Sequence, residues 1–200
     1  AYLVSDEERV LMKVTEYCQG EFDISQAILK PTKPLKKHAT YHMVIYKADG
    51  SFSSVANRPT YKEVPKPIYW KIDLKNESAL PVILEAPKEI EKAVVTFGNR
   101  PISHVVFDYK IKESSPYLIK TWVRNRVSGS VTSYYLKESR YTPSQVIVGQ
   151  GMCEGPFYFA CYYYSRKMVE HEVVFTFMDA CGNRSNSTSP LSFYPETEVD

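Results

Sequence analysis

The 200-residue chain is poor in the residues that most often carry chemistry: four histidines, four cysteines, eight glycines and two tryptophans. No two cysteines stand in a C-x-x-C pair, which argues against a zinc ribbon and a thioredoxin-like redox site. The glycines form no phosphate-binding G-x-x-x-x-G-K-[ST] loop and no G-x-S-x-G nucleophile elbow. The run GQGMCEG at 149–155 has the spacing G-x-G-x-x-x-G and leads into an aromatic strand pattern. A dinucleotide loop needs a helix N-terminus there to hold the pyrophosphate. His38 and His42 are four apart in an extended segment, a solvated pair, and His171 is expected on a strand's inner face with Val173 and Phe175. No pair of carboxylates is singled out for glycoside hydrolysis. No metal, cofactor or catalytic residue is therefore expected. Apolar runs are short of the ~20 residues a membrane-spanning helix needs, so no transmembrane segment is expected. The sequence opens on Ala1-Tyr2 without an apolar stretch, the form expected of a processed, mature N-terminus.

What is present is aromatic and proline-punctuated. Hydrophobic residues make up 44% of the chain, with 16 tyrosines, 9 phenylalanines and 13 prolines, a composition that favours strands and turns over helices. The net charge of +2 is unevenly spread: residues 30–71 hold nine Lys/Arg against Asp49 and Glu63, leaving the rest of the chain acidic. Such a basic segment suits an anionic partner. Nucleic acid is not expected, because the lysines sit among prolines and no recognition motif accompanies them.

Along the chain, residues 5–19 read as a helix. Ser5 and Glu8 have capping-box spacing, and Val10, Leu11, Val14, Tyr17 and Cys18 fall on one helical face. A further helical turn is expected between Asp23 and Pro31. KPTKPLKKH (30–38) then reads as an extended linker whose lysines, Lys30, Lys33, Lys36 and Lys37, are candidates for docking a partner. From Tyr41 the period becomes two. YHMVIYK and an Asp49-Gly50 turn predict a hairpin, and IYWKIDL (68–74) predicts an edge strand. The second half offers strands at 81–86, 91–98, 104–112, 117–127, 130–138, 145–149, 157–164, 168–179 and 187–194, with no helix between them, a pattern for an antiparallel sandwich. The expected organisation is a helix and linker over 1–38, a hairpin and strand extension over 39–79, and a sandwich over 80–200.

The order PVILEAPKEIEKAVVTFGNRPISHVVFDYKI, followed later by HEVVFTFMDACGNRSNSTSPLSF, resembles bacterial immunoglobulin-like and fibronectin type III-like domains across residues 80–196. The strand with Val173, Phe175 and Phe177 runs into a D-x-x-G-N turn, Asp179, Gly182 and Asn183. The resemblance implies a mainly β, immunoglobulin-like fold and says nothing of function.

Two constellations stand out. If strands 117–127 and 130–138 join by a two-residue turn at Ser128-Gly129, Trp122 faces Tyr135, Lys120 faces Lys137, and Arg124 faces Ser133. Lys120, Trp122, Arg124, Arg126, Tyr135 and Lys137 then share an outward patch, while Ile119, Thr121, Val123 and Val127 face the core. Such a patch suits a protein interface or a sugar, or it merely stabilises the hairpin. In CEGPFYFACYYYSRK (153–167), Cys161 alternates with Phe157 and Phe159 on a core face, and Tyr162 and Tyr164 point the other way. A turn at Ser165–Lys167 would bring Cys153 opposite Cys181, within reach of a disulfide, which would place the chain outside the cytoplasm. Sequons stand at Asn76, Asn183 and Asn186.

The expectation from sequence is an exported, non-enzymatic structural or adaptor protein of a cell-envelope or surface assembly, with other envelope proteins as partners. The alternatives are a carbohydrate-binding or adhesin module that stacks glycan on Trp122, Tyr135, Tyr162 and Tyr164, and an accessory domain of an envelope enzyme.

Overall fold

The computed structural model describes residues 1–19, 25–54, 56–57, 66–72, 79–97, 100–139, 142–149 and 169–195. These are all-β, with no helix among them. The chain divides into two compact units, one of Ala1–Tyr17 and Ala27–Asn76, the other of Cys18–Gln26 and Glu77–Asp200.

The strands of the first half are β1 (Tyr2–Val4), β2 (Arg9–Gln19), β3 (Ser25–Pro31), β4 (Thr40–Tyr46), β5 (Phe52–Ser54), β6 (Ala56–Asn57), β7 (Lys66–Pro67) and β8 (Tyr69–Lys71). The main sheet runs β3-β2-β1-β4-β5, with β8 also on β4, and β6 and β7 pair separately. The expected N-terminal helix is corrected here. Residues 5–8 are the turn of a β1–β2 hairpin closed by Val4 opposite Arg9. The two capping-box residues fold onto each other as a turn: the Ser5 amide donates to the Glu8 carbonyl at 2.9 Å, and the Glu8 amide donates to the Ser5 hydroxyl at 3.2 Å. The apolar positions obey period two as well as 3.6. Val10, Met12 and Cys18 are buried, whereas Leu11, Val14 and Tyr17 are exposed. β-branched residues and a sheet to join decide between the periods. The helical turn expected up to Pro31 is likewise strand β3 over its described residues.

Side chains alternate across this sheet. Leu3, Val10, Met12 and Tyr41 form a small core on one face, joined by Leu29, Leu35, Ala39, Met43 and Ile72. The segment expected to be an extended linker is tied down instead. The Thr32 amide donates to the Leu11 carbonyl at 2.9 Å, and the His38 amide to that of Ile72 at 2.9 Å. The hairpin predicted around Asp49-Gly50 is present. Tyr46 pairs with Phe52, Gly50 takes a φ of 81°, and Asp49 Oδ1 accepts from the Ser51 amide at 2.8 Å.

The second unit holds β9 (Val82–Phe97), β10 (Arg100–Lys112), β11 (Tyr117–Asn125), β12 (Val131–Leu136), β13 (Gln145–Gly149), β14 (His171–Asp179) and β15 (Leu191–Phe193). They form two antiparallel sheets, β13-β10-β9 and β12-β11-β14-β15. One core lies between them, with Val105, Phe107, Tyr109, Val146 and Val148 from the first meeting Ile119, Val123, Phe175 and Phe177 from the second. Phe107 packs edge-on against Phe175 at 5.3 Å and Phe193 at 5.8 Å, arrangements that add to plain area burial. This is a sandwich of packed antiparallel sheets, as the alternating pattern requires. The strands expected separately at 81–86 and 91–98 are a single β9. Pro87 does not end it, because the pairing with β10 shifts register between Val106 and Phe107 and twice more between Asp108 and Ile111. Bulges of this kind tolerate a residue without an N–H.

Candidate interaction surfaces

The residues expected to share a patch on β11 and β12 pair in a different register. Lys120 stands opposite Tyr135 and Trp122 opposite Ser133, a slip of two residues from the expected pairing. The cause is a longer turn. Asn125 Oδ1 accepts from the Val127 and Ser128 amides, both at 2.9 Å, and Gly129 takes a φ of 73° before the chain returns. A slip of two preserves the faces. Ile119, Thr121 and Val123 are buried, while Lys120 and Trp122 are partly exposed and Arg124 and Lys137 are exposed. Val127, expected in the core, is exposed in the turn.

Two members of the patch are already engaged. Arg126 pairs with Glu172 at 2.7 Å. Tyr135 is only 6% exposed, and its hydroxyl accepts from Arg184 at 2.9 Å. The Gln26 side-chain amide grips the Tyr135 backbone from both sides, donating to its carbonyl at 2.9 Å and accepting from its N–H at 2.6 Å. One amide thus stands in for a neighbouring strand at that residue. Tyr135 is therefore not an open stacking platform. Tyr162, Tyr164 and Cys153 lie outside the described residues.

Cys181 is an exposed thiol with no disulfide among the described residues, and its expected partner Cys153 lies outside them. Its turn is held by other means. Asp179 is buried, and its Oδ1 accepts from the Cys181 and Asn183 amides while its Oδ2 accepts from Asn183 Nδ2, all at 2.8 Å. Gly182 supplies the positive φ of 87°. The D-x-x-G-N run is thus a satisfied structural turn, and the side chain of the Asn183 sequon is bound within it.

His171, Tyr109 and Tyr117 are polar side chains held within the second unit. His171 stacks on Phe193 at 5.4 Å, its Nδ1 donates to the Val169 carbonyl at 2.8 Å, and burial pushes its pKa down. Tyr109 and Tyr117 share a hydroxyl–hydroxyl bond of 2.9 Å, and Tyr117 donates to Glu138 at 2.8 Å. Burial drives both phenols up, Tyr117 to about 12, so neither is a nucleophile at neutral pH.

In the first unit, two of the four candidate docking lysines are held in ion pairs. Lys33 meets Glu8 and Lys36 meets Glu7, each at 2.7 Å, and the buried Tyr41 hydroxyl donates to Glu8. The Lys33 and Tyr41 bonds hold the Glu8 carboxyl below its usual range, and the bond to Glu7 holds Lys36 above its own. All four lysines are exposed.

Opposite the small core, the same sheet carries a surface that sequence reasoning missed. Tyr2 opposes Leu11 and Val44, Val4 opposes Arg9 and His42, and Tyr46 opposes Phe52, so these side chains share one face. Tyr2 and Tyr46 meet edge to face at 5.7 Å, and Tyr46 contacts Phe52 at 6.0 Å. The Arg9 guanidinium lies 3.8 Å from the Tyr2 ring centroid and 4.7 Å from that of Tyr46. His42 adds a ring contact with Tyr69 at 5.6 Å. Phe52 is 67% exposed, Leu11 47% and Tyr46 44%. The signal was the period-two run Arg9-Leu11-Lys13, hidden when the segment is read as a helix.

Among the described residues no cluster of His, Cys, Asp and Glu has the arrangement of a metal site. Comparison with family models, curated proteins and solved structures finds no match for this chain.

Proposed function

We propose that the protein is a non-enzymatic adaptor or structural subunit that binds other proteins in a cell-envelope or surface assembly. The observation that carries this is the aromatic and arginine face of the first sheet. Tyr, Phe and Arg held in contact and exposed together are the residues that dominate binding energy at protein interfaces. The second unit is read as an immunoglobulin-like or fibronectin type III-like sandwich on the strength of its two packed sheets and its D-x-x-G-N turn. The extracytoplasmic placement rests on that likeness and not on a disulfide. The glycan alternative is weakened, because Tyr135 is covered and Trp122 has no second open ring opposite it.

A photo-reactive amino acid in place of Phe52 tests the proposal in the native host. The expected result is a discrete covalent adduct with a protein in the envelope fraction, absent when the same group replaces Lys88 on β9. Recovery of the chain in the cytosolic fraction, or no protein adduct at position 52, would overturn it.

A further inference from the structure

Arg9 is unusual among the cations of the first unit. Lys33 and Lys36 are each spent on a carboxylate. Arg9 is exposed, rests on two tyrosine rings, and has no ion pair among the described residues. Stacking uses the π face of a guanidinium and leaves its N–H edge available in the ring plane. It also fixes a side chain that otherwise loses considerable rotamer freedom on binding. Strand alternation from Arg9 and from Tyr69 places Lys13 and Lys71 on the same face, and the described strands put no Asp or Glu there. The face is therefore cationic, with one oriented fork resting on Tyr2 and Tyr46, exposed Leu11 on its own strand and exposed Phe52 beyond Tyr46 on β5.

We propose that this face reads an acidic peptide segment of a partner protein: Arg9 takes an Asp or Glu carboxylate with two parallel hydrogen bonds, and apolar side chains flanking that residue lie on Leu11 on one side and on Phe52 on the other. The proposal rests on the protein-binding function above and names the chemistry of the partner. The planar fork holds a carboxylate with two parallel bonds, which a lysine ammonium cannot do. A protein partner fits better than a nucleic acid, because the few cations of this face, Arg9, Lys13, Lys71 and Lys30 opposite Lys13, make too small a cluster to track a phosphate backbone. The flanking surface is aliphatic as well as aromatic, which a base-stacking groove does not need.

Selection from a random peptide display library, on the whole chain and on its variants, tests this. Wild type is expected to select peptides rich in Asp or Glu next to Leu, Phe or Tyr. Arg9→Ala and Arg9→Lys are expected to lose the acidic preference and to bind the selected peptides at least about tenfold more weakly, with circular dichroism melts confirming that both variants fold. Selected peptides in which Gln replaces Glu should bind as weakly to wild type. Peptides without acidic enrichment, or enrichment that survives Arg9→Ala, would overturn the proposal; purely apolar peptides would do so while leaving a protein-binding face intact. Polygalacturonate or an oligothymidine that binds more tightly than any selected peptide, with the same Arg9 dependence, would also overturn it, because the partner would then be another polyanion.

Discussion

Asp179 offers a direct check on the claim that the D-x-x-G-N run is structural. Its carboxylate takes three hydrogen bonds of 2.8 Å in a buried position. Hydrogen bonds to a charged acceptor contribute about 1.5–3 kcal/mol each, and such values do not add. The Cys181 amide is in an exposed residue and regains water when the acceptor is removed. The Asn183 amide regains less. Asp179→Ala should therefore cost about 3 kcal/mol. With a urea slope of about 2 kcal/mol per M, the midpoint should fall by about 1.5 M. Asp179→Asn keeps the Oδ1 acceptor for both backbone amides and turns an Nδ2 donor toward Asn183, whose side-chain amide flips to accept it, so it should lose only about 0.5 M. Gly182→Ala meets nothing within 4 Å of its new Cβ, so its cost is the backbone strain of a φ of +87°, about 1 kcal/mol. In a Trp70→Phe background the fluorescence of Trp122 alone follows the second unit through urea unfolding. A midpoint for Asp179→Ala within 0.3 M (roughly 0.6 kcal/mol) of the parent, or an equal loss for Asp179→Asn, would refute the hydrogen-bond account.

Other outcomes follow from the same geometry. Gly149→Ala puts a Cβ 3.1 Å from His104 Cβ and 3.2 Å from the Ser103 carbonyl oxygen; because the latter is backbone, thermal unfolding should show a loss of about 1–3 kcal/mol. Gln26→Ala strips Tyr135 of both backbone partners, so its amide should exchange hydrogen faster in exchange experiments and stability should fall by about 1–2 kcal/mol. Burial lowers the pKa of His171, so the unfolded chain binds its proton first as pH falls. Stability should therefore be full above about pH 6.5 and decline below it, and His171→Phe should flatten that decline in denaturation titrations between pH 7 and 5. Native thiol labelling followed by peptide mass analysis should modify exposed Cys181 rapidly and buried Cys18 slowly.

The sandwich was legible because its information is local and of period two. The faces of β11 and the inward position of His171 follow from alternation alone. The N-terminal hairpin was not legible, because Val10 through Cys18 satisfy both periods and Ser5 with Glu8 serve a cap or a tight turn equally well. The register of β11 on β12 turned on one side chain, Asn125, whose bonds to two amides lengthen the turn by two residues. The covering of Tyr135 was beyond local pattern altogether, because Gln26 and Arg184 arrive from opposite ends of the chain. The tyrosine-flanked Arg9 became visible only once its segment was a strand.

The Gln26 bond is expected to form late in assembly. It joins positions 109 residues apart, and the backbone it grips belongs to a strand that must first close on β11. Closing so long a loop is entropically costly and favours late formation. During synthesis residue 26 emerges long before Tyr135 exists, so the Gln26 amide must stay hydrated until the β11–β12 hairpin arrives. A slow final phase in refolding that Gln26→Ala removes, with earlier phases unchanged, would be the kinetic trace of that closure.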